Sequence, residues 1–375
     1  MSFDDLLHVG RPNLGNREKF LSLVNEILDR RWLTNQGPVV KMFENTICEY
    51  LGVKHALTIC NATTALEIAA KALGIKGEVI IPSFTFIATA HALQWLGVKP
   101  IFCDVGPRTH NIDPTKIEAL VNENTSGILG VHMWGRPCDI ETLQLLSSKY
   151  NIPVFYDASH AFGCSYKSNM IGNFGSCEVF SFHATKIINS LEGGLITTND
   201  SRLASKIDKM RNFGFTDFDK VDELGINGKM NEISAAMGLT NLECIDEFIA
   251  KNKANYDLYR KYLSSIPYVK LIEYSAEEYF NYHYIILYLD TVNSKRSRDE
   301  LISILHSNNI LARRYFSPGC HRMMPYQTMT DYSRLDLRVT ELLSESLIAL
   351  PNGQSIDDDD IAKICSIINN FISSH

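Results

Sequence analysis

Lys186 and Asp157 are the two residues of this 375-residue sequence whose types and settings most readily do chemistry. Lys186 stands in "VFSFHATKIINSLEGGLITTND", just beyond an apolar run and just ahead of a Gly-Gly pair, with few carboxylates nearby to hold it as a surface charge. Lysine is the common side chain that forms Schiff bases, and its pKa falls readily on desolvation. Asp157 closes the apolar run "IPVFYD" and is followed by "ASH". If that run is a strand of an open α/β sheet, the carboxylate stands at the carboxyl end, where such sheets bind ligands. The plain alternatives are a loop lysine and a helix cap. Taken together, a Schiff-base amine and an acid able to pair with a pyridine nitrogen are what pyridoxal phosphate chemistry requires, since the protonated ring is the electron sink.

That chemistry needs a phosphate cradle. "CNATTAL" offers one, because the small residues Ala62 and Thr63 open a helix whose first N–H groups are free to meet an anion. Ser181, ahead of Lys186 in the same motif, supplies a second hydroxyl, and Phe86 in "IIPSFTFIATA" supplies an aromatic face for a ring. Each has an ordinary structural reading as a cap or a packed side chain.

The elements that must position these groups are legible from about residue 54 to 200. The runs "KHALTIC", "GEVIIPSF", "KPIFCDV", "GILGVHM", "IPVFYDAS", "CEVFSFH" and "GGLITTN" are near-continuously apolar, as in strands covered on both faces, and the stretches between them have helical spacing. The expected fold is α/β: a mostly parallel seven-stranded sheet flanked by helices, followed by a smaller α+β domain. Asn61 or Thr63 can cap the first helix, "ALEIAAKAL". After residue 230 a single long amphipathic helix is expected up to Pro267, then the strand "YHYIILYLD", the helix "SRDELISILHSNNI" and a final helix with an acidic first turn, "DDDDIAKICSIINNFI". The expected division is a large domain over 1–245, carrying the N-terminal segment, and a small one over 246–375.

Composition narrows the partners. A net charge of −7, with no long Lys/Arg run, argues against nucleic-acid polymers and leaves small molecules. Nine scattered cysteines without a C-x-x-C pair, an acidic N-terminus without an apolar core and no run long enough to span a bilayer lead to the expectation of a reduced, cytoplasmic protein that binds no membrane. No metal site is expected, and a generic dinucleotide binder would carry G-x-G-x-x-G where "CNATTAL" stands.

The motifs "VIIPSFTFIATA", "VHMWGRPCDI", "FYDASHAFG", "SFHATKIINSLEGGLITTND" and "GINGKMNEISAAMGL", in this order and spacing, resemble the DegT/DnrJ/EryC1/StrS aminotransferases, from about "RRWLTNQGP" to "LIALPNG". The resemblance implies a fold type I pyridoxal phosphate enzyme acting on nucleotide-linked keto sugars with L-glutamate as amino donor. It implies that Lys186 is the Schiff-base lysine, Asp157 the partner of the pyridine nitrogen and His160 a neighbour of the ring hydroxyl. It also implies that Ala62, Thr63 and Ser181 hold the phosphate, that Phe86 covers the ring, and that Asn227 reaches the phosphate of a neighbouring subunit in a homodimer.

A branch of that family carries histidine in place of the lysine and dehydrates its substrate; Lys186 points instead to amino transfer. A retired, non-catalytic relative would have lost Lys186 or Asp157, and both are present. For the sugar nucleotide, Arg313, Arg314, Tyr315, Phe316 and His321 form a cationic and aromatic cluster, with Lys229 a further candidate, since guanidinium groups fork onto phosphate oxygens. The "GINGKMNEISAAMG" and "ARRYFSPGCHRMMPY" segments most resemble members that aminate C4 of dTDP-4-keto-6-deoxy-D-glucose for surface polysaccharide such as O-antigen. C3-specific and UDP-sugar enzymes share every cofactor motif, because the choice depends on how the sugar is turned in the pocket.

Overall fold

A computed structural model describes residues 3, 5–329 and 335–374. Its centre is a seven-stranded sheet built from β1 (His55–Ile59), β2 (Glu78–Pro82), β3 (Lys99–Cys103), β4 (Thr125–Val131), β5 (Val154–Asp157), β6 (Glu178–Ser181) and β7 (Gly194–Thr198). Across the sheet they run β1-β7-β6-β5-β4-β2-β3. Only β7 is antiparallel to its neighbours. All seven apolar runs of the sequence are therefore strands.

Alternation along the strands sorts their side chains into two cores. Ala56, Ile80, Tyr156, Phe180 and Leu195 enter one apolar cluster, while Leu57, Val79, Ile81, Phe155, Val179 and Ile196 enter the other. A period of two with both faces covered is why the runs read as continuously apolar.

A second sheet, antiparallel, joins β8 (Val269–Leu271), β9 (Ile285–Leu289) and β10 (Leu347–Leu350). It shares a third core with the final helix, Asp358–Ser373, which opens with the reciprocal Asp357–Asp360 capping box inside the "DDDD" run. Phe3 and Leu7 join this core, and Leu7–His8 pairs with Ile310–Leu311, so the first residues of the chain pack on the C-terminal part.

The single long helix expected after residue 230 is two helices, Glu232–Leu242 and Ile245–Leu263, separated at Cys244. The first is buried nearly all round, whereas the second carries a charged face and must turn outward. The second also links the cores, with Ile245 and Phe248 in the sheet cluster and Tyr256, Tyr259 and Leu263 in the C-terminal one.

A fourth apolar cluster forms the seam between the two sheets, from Phe84, Val131, Met133 and Trp134 on one side and Tyr284, Ile286, Phe316 and Ala349 on the other. All nine cysteines are free. Among the described residues no helix is long and apolar enough to cross a membrane.

Candidate active site

The carboxyl ends of β5 and β6 meet the seam, and the chemistry-bearing residues gather there. Lys186 lies in the loop that carries the chain from β6 back into β7, in a turn closed by its own N–H donating to the His183 carbonyl at 2.9 Å. Its Nζ donates to the phenol of Tyr284 at 3.1 Å. Desolvation pulls the Lys186 pKa down from 10.5 to about 8, against the opposing charge of Asp157 and then of Tyr315. A buried lysine without a carboxylate bonded to it is a nucleophile held near neutrality.

Asp157 is the last residue of β5. Its Oδ2 accepts from the Thr89 hydroxyl at 2.8 Å, and its Oδ1 accepts from the Ser159 N–H at 3.1 Å. Thr89 is in turn 3.0 Å from the Thr85 hydroxyl, so the carboxylate is aimed by a buried polar chain.

His160 follows on the next turn. Its Nδ1 accepts the Trp134 backbone N–H at 3.3 Å, which leaves the proton on Nε2. Its ring lies nearly parallel to the Trp134 indole, at 5.7 Å and 14°, and to the Phe316 ring, at 6.0 Å and 13°. Burial, with the positive charge of Lys186, keeps its pKa well below the ordinary value, so the imidazole is neutral.

The residues expected to cradle a phosphate gather around Gly194. That residue is paired with Ile59 on one side and Ser181 on the other, so Ser181 and the start of the Ala62–Ala72 helix flank it in one row. Asn61 caps the helix by accepting the Thr64 N–H at 2.8 Å, and the amides of Ala62 and Thr63, in the first turn, have no acceptor within the helix. A Cβ on Gly194 would stand 2.5 Å from the Asn61 carbonyl and 2.7 Å from the Ala62 nitrogen, so only glycine lets strand and helix end close this tightly. An amine, a carboxylate and an anion cradle converge on one seam, which is the donor set pyridoxal phosphate needs. Among the described residues no cluster of three or more His, Cys, Asp or Glu is arranged to hold a metal ion.

The remaining expected residues are dispersed. Phe86 caps the Ile87–Trp95 helix at the mouth of the site, 56% exposed, with its ring 6.2 Å from Phe316. Tyr315 lines the site, while Arg313 is exposed with its guanidinium 5.3 Å from the Tyr315 ring. Arg314 is already paired, donating from Nε to Asp299 at 2.7 Å. His321 is buried in the packing, its ring 2.7 Å from the Ser83 hydroxyl and 3.5 Å from Glu341, so it does not share the exposed surface of Arg313. Asn227 is exposed and Lys229 half-buried beside the end of β1, where the Lys229 amine donates to Asn227 Oδ1 at 2.9 Å and covers the Phe213 ring at 4.5 Å. The exposed Asn227 side chain pairs with Lys229 and makes no hydrogen bond with Lys186 of its own chain.

Three contributors escaped the sequence reading. Tyr284 was legible only as strand, Trp134 only as a letter of "VHMWGRP", and Thr89 only as part of the helix after Phe86. The one available signal was the hydroxyl of Thr89 in the first turn of the Ile87–Trp95 helix.

The family model of the DegT/DnrJ/EryC1/StrS aminotransferase family matches residues 15–369. The chain belongs to that family. This aminotransferase is 37% identical over 363 residues to the dTDP-4-amino-4,6-dideoxy-D-glucose transaminase of Shigella dysenteriae, covering 96% of this chain and 98% of the relative. It is 33% identical over 379 residues to the GDP-perosamine synthase of Caulobacter vibrioides, covering 98% of both. Among solved structures it resembles DesI determined in the presence of its TDP-sugar product, with a TM-score of 0.95, 40% identity and coverage of 99% of this chain and 94% of that one. Its cofactor is pyridoxal phosphate.

Proposed function

We propose that this aminotransferase moves the amino group of L-glutamate to the C4 carbonyl of dTDP-4-keto-6-deoxy-D-glucose, giving dTDP-4-amino-4,6-dideoxy-D-glucose for a surface polysaccharide. The observation that carries the substrate is the end-to-end similarity to a transaminase named for that product, at 37% identity. Lysine at 186 supports amino transfer over dehydration.

Bound pyridoxal phosphate supplies an electron sink at the donor's Cα and carries the amino group between the two substrates. Lys186 would hold the cofactor through its amine and, when free, would take and return the proton at the donor's Cα; a pKa of about 8 suits both roles. Asp157, aimed by Thr89 and the Ser159 N–H, keeps the ring nitrogen protonated. His160, with its proton on Nε2 and its face held by Trp134, would stand beside the ring hydroxyl. Ala62, Thr63 and Ser181 bind the phosphate and Phe86 covers the ring. Arg313 and Tyr315, with Lys229 at the margin, receive the sugar nucleotide, while Arg314 is held by Asp299. The working unit is a cytoplasmic homodimer in which Asn227 serves the partner's phosphate site, in keeping with its outward position.

The test is incubation with L-glutamate and a panel of 3-keto and 4-keto sugars linked to dTDP, UDP and GDP, with products read by NMR. Amination of the dTDP sugar at C4 is expected. Preference for a GDP sugar, as the Caulobacter relative's name would suggest, or reaction at C3, would overturn the substrate assignment.

A further inference from the structure

Tyr284 stands just before β9, on the opposite side of the seam from Lys186, and reaches across it. Its phenol oxygen accepts the Lys186 amine at 3.1 Å, its ring centre is 5.8 Å from the same amine, and its ring lies 4.4 Å from that of His160. The preceding residue grips the same loop by its main chain, with His283 Nε2 lying 2.8 Å from the carbonyl oxygen of Thr185. His283 is itself fixed, its N–H donating to Asn281 Oδ1 at 3.0 Å and its carbonyl accepting from Asn352 at 3.1 Å. Two consecutive residues just ahead of β9 therefore hold the reactive lysine, one through the backbone before it and one through its amine.

The protonation states fit this arrangement. Burial pulls His283 down to about 4, and the Lys186 charge adds to this, so the imidazole is neutral and its proton sits on Nε2, facing the Thr185 carbonyl. Burial, then the charge of Asp157, raises the Tyr284 phenol, which keeps its proton. A phenol can accept from an ammonium and donate to a free amine, so the same contact survives the loss of the lysine's proton. The groups facing the amine are Tyr284, His283, His160, Asp157 and Tyr315.

We propose that Tyr284 is a positioning residue for Lys186, its hydroxyl holding the amine in place whenever the lysine is not joined to the cofactor. This rests on Lys186 being the reacting amine. The hydroxyl also substitutes for water around the ammonium, so removing it lowers the lysine pKa further.

The experiment uses the cofactor-free protein and follows trinitrophenylation of Lys186 against pH by peptide mass spectrometry. The midpoint should lie near 8 in the wild type. Tyr284→Phe keeps the ring and should lower the midpoint by about half a unit, making the reaction about threefold faster at pH 7. With cofactor restored, kcat should fall about tenfold while KM for L-glutamate holds, the split expected of misaimed chemistry and not of lost binding. Replacement of Tyr284 alone by 3-fluorotyrosine keeps the hydroxyl and ring, weakens the phenol as an acceptor and should move the midpoint the same way. A midpoint unchanged in both preparations overturns the proposal. Borohydride reduction of the wild type with pyridoxal phosphate, followed by peptide mapping, separates the two failures: a label absent from Lys186 defeats the reading of the lysine, whereas a label present with an unchanged midpoint defeats only the role of Tyr284.

Discussion

Gly194 and Asn61 meet so closely that a single Cβ on the glycine would stand 2.5 Å from the asparagine's carbonyl carbon and oxygen. Both partners are backbone, so neither can turn away as a side chain would. Gly194 adopts no left-handed conformation, so Gly194→Ala acts by contact alone, pushing the helix start away from Ser181. The expected result is a rise of about tenfold or more in the dissociation constant for pyridoxal phosphate, read by absorbance titration of the cofactor-free protein, with far-ultraviolet circular dichroism unchanged.

Thr89→Val removes the hydroxyl that bonds Asp157 and keeps the side chain's shape. A hydrogen bond to a charged group contributes about 1.5–3 kcal/mol. With Asp157 in its proposed place at the ring nitrogen, the loss should appear mainly in the rate. Stopped-flow measurement of the reaction with L-glutamate should give a rate constant lower by about tenfold or more, while the unfolding temperature changes little.

Lys186 also imposes a pH dependence on stability. Its folded pKa, about 8, is below its ordinary 10.5, so between those values the unfolded chain binds more protons than the folded one, and stability rises with pH. Below about pH 8 the lysine is charged in both states and the full desolvation penalty applies. Lys186→Met should therefore be more stable than the cofactor-free wild type at pH 7, and its advantage should shrink as the pH climbs from 8 to 10.5. Chemical denaturation at a series of pH values measures this; an advantage constant across the range would contradict the desolvation.

Sharing of active sites in a homodimer is tested by complementation. Lys186→Ala and Asn227→Ala proteins should each be nearly inactive alone. In a mixed dimer one site combines a native Lys186 with a native Asn227 from the other chain, so activity should return on subunit exchange. If Asn227 served its own chain's site, mixing would restore nothing.

The fold and the placement of the central candidate residues were legible for a common reason. Strands buried on both faces are written as apolar runs, and Asp157, Ser181 and Lys186 stand at or just beyond the ends of two such runs. The Asn61 cap was legible because it bonds an amide three residues on. What local pattern does not encode is which distant residue a side chain meets. "YHYIILYLD" marks a strand but not that Tyr284 bonds Lys186, 98 positions away in the chain. Likewise "RR" gives two cations, but only the folded chain shows Arg314 spent on Asp299 while Arg313 stays exposed. The amphipathic pattern after residue 230 ran through Cys244 unbroken, because the break there follows from the burial of the preceding helix on every side.

The account's central claim is amino transfer through Lys186 to the sugar's C4, and tracing the nitrogen tests it most directly. With 15N-labelled L-glutamate, pyridoxal phosphate and dTDP-4-keto-6-deoxy-D-glucose, the wild type should give a sugar nucleotide whose 15N couples to the proton at C4, and Lys186→Ala should give none. A sugar product without 15N, or label incorporated equally by the Lys186→Ala protein, would contradict it.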